Sequence, residues 1–181
     1  MNILSIGASS SSSSINQQFA DHSAKRIAGA KVTSFALSRL TLPIYSVDEE
    51  KENGIPAEAQ RFIDAIRDHD GIVLSLAEHN GSYTAAFKNL YDWASRIVKD
   101  VWQDKAMLLL STSPGPRGGA TVMSAAAATF PRMGAKVAAT YSLPSFYDHF
   151  SKDGINDPEL ASQLNKAISA FSAALVCRSS Q

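Results

Sequence analysis

Cysteine, surplus charge and long apolar runs are what this sequence has least of, and each scarcity removes a class of protein. Cys177 is the only cysteine, so neither an internal disulfide nor a cysteine-based zinc site can form. Lys+Arg and Asp+Glu both number 17, leaving no net charge at neutral pH. Phosphate-backbone binding runs on an excess of basic residues, so a general nucleic-acid binder is excluded as the leading reading. No stretch reaches the ~18–20 apolar residues needed to cross a bilayer. The opening Met1-Asn2-Ile3-Leu4 has no basic segment of the kind that starts a signal peptide. His22, His69, His79 and His149 show no metal-ligand spacing. Neither a Gly-Lys-Ser/Thr phosphate loop nor a Gly-x-Gly-x-x-Gly turn is present. The expectation from these absences is a cytoplasmic globular protein with no metal.

What is present is 45% hydrophobic and 19% charged over 181 residues, which predicts one domain across 1–181. A chain of that length buries roughly 70% of its unfolded surface and needs no covalent staple. Five strand-length apolar runs stand out at Ile3–Ile6, Val32–Leu37, Ile72–Leu76, Ala106–Leu110 and Val137–Tyr141. Between them lie stretches with helical spacing, clearest at Phe87, Leu90, Tyr91, Ala94, Ile97 and Val98. An alanine-rich helix is expected from about Ala120 to Met133. A last helix starts behind Asp157-Pro158, a capping residue followed by proline at the first helical position. Strands alternating with helices predict an α/β fold with a parallel sheet covered on both faces. Five strands suit the flavodoxin-like order 2-1-3-4-5, a three-layer sandwich. Two long stretches, Thr41–Ile55 and Leu143–Asn156, are expected to be irregular.

Open α/β sheets bind ligands beyond the carboxyl ends of their strands, where the strand order reverses. Three loops then matter. The first, Gly7-Ala8-Ser9-Ser10-Ser11-Ser12-Ser13-Ser14-Ile15-Asn16, would be a flexible linker in another context. Between a buried strand and a helix it becomes a turn whose free N–H groups point outward. The hydroxyls of Ser9, Ser11 and Ser14, with the N–H groups near Ile15 and Asn16, suit a phosphate dianion. A single capping serine would account for one of the six serines. The second loop, Ala77-Glu78-His79-Asn80-Gly81-Ser82-Tyr83-Thr84, follows the third strand. The third, Ser111-Thr112-Ser113-Pro114-Gly115-Pro116-Arg117-Gly118-Gly119, follows the fourth, and its glycines allow close approach to a flat ligand.

Together these segments resemble the NAD(P)H-dependent FMN reductases, a family that includes quinone, azo-dye and chromate reductases, over nearly the whole chain. Ala8-Ser9, Ser14 and Asn16 match the family's Gly-Ser-x-Arg-x-x-Ser-x-Asn loop; Ala77-Glu78-His79-Asn80 stands at its Pro-Glu-Tyr-Asn segment. Lys88-Asn89 and Asp92-Trp93, Leu42-Pro43-Ile44-Tyr45 and Phe150-Ser151-Lys152-Asp153-Gly154 also resemble family segments. Two departures stand out. Ser11 occupies the position of the family's phosphate-loop arginine, and Ala77 and His79 replace proline and tyrosine.

The resemblance implies FMN as cofactor, NAD(P)H as co-substrate and a quinone, free flavin, azo dye or metal oxyanion as acceptor. It implies hydride transfer directly to flavin N5, with no catalytic side chain. FMN would be held by Ser9, Ser11, Ser14, Ile15, Asn16, Ala77, Glu78, His79, Asn80, Ser113, Gly115, Gly118 and Gly119. Asn80 is the leading polar contact to the isoalloxazine edge, and Glu78 is read as structural. A homodimer or homotetramer is also implied. Two other readings use the same fold: a flavodoxin-like electron carrier, against which zero net charge argues, and a flavin-free binding module.

Overall fold

The computed structural model describes residues 1–179, with nothing stated of the side chains of residues 178–179. In chain order the elements are β1 (Asn2–Ala8), α1 (Ile15–Lys25), β2 (Lys31–Ala36), a 3₁₀ turn (Leu37–Arg39), α2 (Val47–Asn53) and α3 (Ala57–Arg67). Next come β3 (Gly71–Leu76), β4 (Glu78–His79), β5 (Ser82–Tyr83), α4 (Ala85–Ile97), β6 (Ala106–Thr112) and α5 (Ala120–Thr129). A second 3₁₀ turn (Phe130–Met133) precedes β7 (Lys136–Leu143), α6 (Phe146–His149), β8 (Phe150–Ser151), β9 (Gly154–Ile155) and α7 (Pro158–Ser179). The five long strands form a parallel sheet in the order β2-β1-β3-β6-β7, the flavodoxin-like order expected from the sequence.

Alternation along the strands divides the core in two. Leu4, Ile6, Ile72, Leu74, Met107 and Leu109 point to the face covered by α3, α4 and α5. Ile3, Val73, Leu108 and Leu110 point to the face covered by α1 and α7. The three central strands are buried on both sides, as the continuous apolar runs require. Edge strand β2 is half-exposed along its length.

Helix boundaries follow local chemistry. Asp157 accepts from the N–H groups of Glu159 (2.9 Å) and Leu160 (3.0 Å), capping α7 as expected. The alanine-rich helix leaves α geometry at Phe130, where Pro131 has no N–H to continue the ladder. Neither stretch expected to be irregular is so throughout. Thr41–Ile55 contains α2, capped by Ser46 and closed by Gly54. Leu143–Asn156 contains α6 and the β8–β9 hairpin.

That hairpin covers His22 of α1. The ring of Phe150 meets the imidazole edge-on at 5.1 Å, and His22 Nε2 is buried without a hydrogen-bond partner. Burial, then the charges of Arg26 and Lys25, hold the imidazole below its ordinary value of 6.5. The unfolded chain therefore binds this proton more readily than the native state. Stability from this site is complete above 6.5 and declines as the pH falls through that value. Thermal melts between about pH 7.5 and 5.5 should show a falling Tm, with a shallower slope in His22→Gln. Parallel slopes in the two proteins would remove His22 as a contributor.

Candidate flavin site at the carboxyl edge of the sheet

The first loop reaches the sheet edge through an unusually close helix–strand contact. A Cβ on Gly7 would lie 2.4 Å from the backbone nitrogen of Gln17 and 2.5 Å from its Cα. Only glycine allows α1 to sit that low on β1. Gly7 N–H donates to Gln17 Oε1 (2.9 Å), locking the approach. Ser14 caps α1, its hydroxyl accepting from Gln17 N–H at 3.1 Å. The N–H groups of Ile15 and Asn16, which open the helix, meet no acceptor among the described residues. They remain available to an anion, with the positive end of the helix dipole behind them.

The serine run divides by side. Ser9, Ser11, Ser13 and Ser14 line a cleft of about 200 Å³ together with Ile15 and Asn16. Ala77, Glu78 and His79 form a second wall, and Thr112, Ser113 and Pro114 a third. Ser10 faces an apolar groove with Leu37, Leu40, Leu42 and Ile44. Ser12 turns to the far side of the loop.

Each wall is fixed by a buried polar contact. Thr84 caps α4 and donates through Oγ1 to Ala8 O (2.9 Å), tying the second loop to the end of β1. Glu78 accepts from Val122 N–H in the first turn of α5 (2.9 Å), the structural role expected of it. Ser111 Oγ donates to Gly118 O (2.7 Å), and Thr112 Oγ1 to Leu143 O (2.8 Å). Asn16 joins the start of α1 to the exits of β3 and β6. Its Nδ2 donates to Thr112 O (3.1 Å), while its Oδ1 accepts from Thr112 N–H (3.1 Å) and Ser75 Oγ (2.7 Å).

The structure thus gathers Ser9, Ser11, Ser14, Ile15, Asn16, Ala77, Glu78, His79 and Ser113 at one cleft, though the Asn16 amide itself is spent inside the protein. Asn80, Gly115, Gly118 and Gly119 do not line it. Asn80 and Gly81 turn the β4–β5 hairpin with φ of 53° and 75°, a two-residue turn that favours Asn-Gly. Asn80 is exposed at its tip. Gly118 and Gly119 have φ of 58° and 78° and shape the turn into α5; a Cβ on Gly118 would lie 2.8 Å from Leu143 O. Gly115 O receives the N–H groups of Gly118 and Ser145.

Sequence reasoning passed over Ser13, Thr112 and Pro114 as lining residues. Tyr147 also lines the cleft, 71% exposed. Asn89 and Trp93 both donate to Pro43 O at 2.9 Å, and Asn89 Oδ1 accepts from Tyr45 N–H. These motif residues therefore pin the Leu42–Tyr45 segment. Lys88 and Asp92 form an exposed ion pair at 2.6 Å, four residues apart on α4.

A sequence model of the NADPH-dependent FMN reductases matches residues 1–149. The chain belongs to that family. A quinone reductase from Escherichia coli is 34% identical over 96 residues, 52% of this chain and 51% of that protein. A 2-hydroxy-1,4-benzoquinone reductase from a Burkholderia species is 37% identical over 84 residues, 46% of this chain and 45% of that protein. The matched segments thus span about half the length of these curated relatives. Among solved structures, FerB, a flavoenzyme NAD(P)H:(acceptor) oxidoreductase from Paracoccus denitrificans, has a TM-score of 0.75 at 23% identity, covering 96% of both chains. A flavodoxin from Pseudomonas aeruginosa has a TM-score of 0.56 at 17% identity, covering 97% of this chain and 99% of that one. At such identities the structural likeness establishes the shared fold.

No helix among the described residues is long and apolar enough to cross a membrane. No cluster of His, Cys, Asp or Glu among them suits a metal ion.

Proposed function

We propose that this FMN reductase family member, read as one flavodoxin-like unit over 1–181, binds FMN in the three-walled cleft and passes electrons from NAD(P)H to a small acceptor of the quinone class. One observation carries the reading: hydroxyls and two unpaired helix N–H groups face the same cleft as the loops after β3 and β6. Such a donor set fits a phosphate monoester, because every group aimed at the anion donates and none needs to ionise. The loops after β3 and β6 that wall the rest of the cleft suit a ring system.

In this reading Ser9, Ser11, Ser14 and the N–H groups of Ile15 and Asn16 hold the phosphate. Ala77, His79, Ser113 and Pro114 flank the ring. Backbone N–H groups of these loops would stabilise negative charge at its pyrimidine edge. Tyr147 at the rim limits water access. Bound FMN supplies the hydride-accepting centre, so the protein contributes orientation and electrostatics rather than an acid–base pair.

Flavin-free protein incubated with FMN and desalted should absorb near 450 nm and bleach under anaerobic NADPH. Steady-state NADPH oxidation should then depend on added quinone. Protein that stays colourless, or takes up flavin without turnover, would support the binding-module or carrier alternatives instead.

A related prediction concerns position 11. An arginine there would add a charge-assisted contact to the phosphate, worth about 1–3 kcal/mol. Ser11→Arg is expected to tighten FMN by roughly tenfold or more in a flavin-fluorescence titration. Unchanged or weaker binding would count against placing the phosphate at this loop.

A further inference from the structure

On the outer side of the serine loop lies a second concavity of about 420 Å³. The parallel register pairs Gly7 with Ala36, so the end of β2 emerges beside the start of the loop. The 3₁₀ turn Leu37–Arg39 then carries Arg39 to the rim of this concavity. Ser9, Ser11 and Ser12 line it from the loop, and Ser34 and Ser38 from the β2 side. No carboxylate lines it. The nearby Asp21 is already engaged, accepting from Ser5 Oγ at 2.6 Å, Gln17 Nε2 at 3.0 Å and Ser34 Oγ at 3.3 Å.

Several arginines of the chain have acidic partners that Arg39, like Arg132, lacks among the described residues. Arg96 pairs with Glu50, and Arg67 with Asp64 and Asp68. Arg39 has neither an ion pair nor a hydrogen bond among the described residues. A guanidinium without an acidic partner lines the same concavity as five serines, whose hydroxyls can also donate, although that of Ser34 is already given to Asp21. That is the chemistry of an oxyanion site, and a guanidinium matches phosphate in shape as well as charge. Ser9 and Ser11 line both this concavity and the cleft, so the two adjoin through the same residues.

We propose that Arg39 and the serines around it form a phosphate subsite on the outer side of the loop, supplying the positive charge that the loop itself lacks. Its ligand is a phosphate group carried either by the flavin or by the dinucleotide co-substrate. Only the source of that phosphate rests on the FMN reductase reading; the subsite itself does not.

The test begins with flavin-free protein and inorganic phosphate, followed by amide and arginine side-chain NMR shifts. Saturable shifts are expected at Ser11, Ser12 and the Arg39 Nε–H. Arg39→Gln should weaken them about tenfold, and Arg39→Lys less. Arg39 is exposed, so both variants should fold normally. Comparison of FMN with riboflavin identifies the source. If the flavin phosphate occupies the subsite in place of the cleft position proposed above, Arg39→Gln weakens FMN about tenfold and leaves riboflavin unchanged. If the dinucleotide does, FMN affinity holds while the KM for NADPH rises about tenfold at constant kcat. Phosphate shifts confined to Ile15 and Asn16, equal in wild type and Arg39→Gln, would overturn the proposal. Phosphate binding that requires Arg39, in a protein that never takes up FMN, would uphold the subsite and sink the flavin reading.

Discussion

Replacing Gly7 with alanine is expected to lower stability by about 3 kcal/mol and to weaken FMN binding at the same time. The new Cβ would overlap backbone atoms of Gln17, at 2.4 and 2.5 Å, and no side-chain rotation can relieve a backbone clash. Helix α1 must lift off β1, breaking the bond from Gly7 N–H to Gln17 Oε1. The Ser14 cap and the free N–H groups of Ile15 and Asn16 move with it, so the phosphate donors lose their aim. For a chain of this length the loss corresponds to a Tm roughly 10 °C lower. A melt within a degree or so of wild type, with FMN affinity intact, would show that the helix has room the structure does not show.

Asn16→Leu should be at least as costly, by a different route. Leucine shares the branched heavy-atom skeleton with bulkier methyl ends, so no cavity opens, but three buried partners lose their hydrogen bonds: Ser75 Oγ, Thr112 N–H and Thr112 O. Each buried polar group left unsatisfied costs about 1–3 kcal/mol, and a total near 3–5 kcal/mol follows. Because Asn16 is the joint between the first loop and the exit of β6, the walls of the cleft would also separate. Chemical denaturation reads the first effect and flavin titration the second. Full stability in Asn16→Leu would mean that water or a shifted backbone satisfies these groups. Asn16→Asp makes a useful companion: it keeps the acceptors but sets an oxygen against Thr112 O, so an intermediate loss is expected.

The same residue shows where sequence reading stopped. The serine-loop motif offers the backbone N–H of Asn16 to a phosphate. Its side chain has a second task, tying α1 to β3 and β6, partners 59 and 96 residues away in sequence. Contacts at such separation leave no local pattern. Glu78, Asn89 and Trp93 are alike in this respect, each motif residue holding a loop in position rather than facing the cleft alone. Asn80 is a different case. Asn-Gly between short strands is a hairpin signal available in the sequence, and the structure forms that hairpin.

Helix α2 was missed for a further reason. Ser46, the acidic first turn Asp48–Glu50 and Gly54 mark both of its ends, but the helix buries no residue. With no apolar stripe, periodicity had nothing to detect.

Sequence by itself determined the five strands, their parallel order and the three loops beyond their carboxyl ends. A strand buried on both faces must be apolar throughout, and an amphipathic helix must repeat with its own turn, so both leave marks in neighbouring residues. Tertiary structure alone decided which serines face the cleft, which glycines merely turn the chain, and that Arg39 of a different loop stands beside a serine run with no cation of its own. Those outcomes depend on the distance between segments remote in sequence, and that distance exists only once the sheet has assembled.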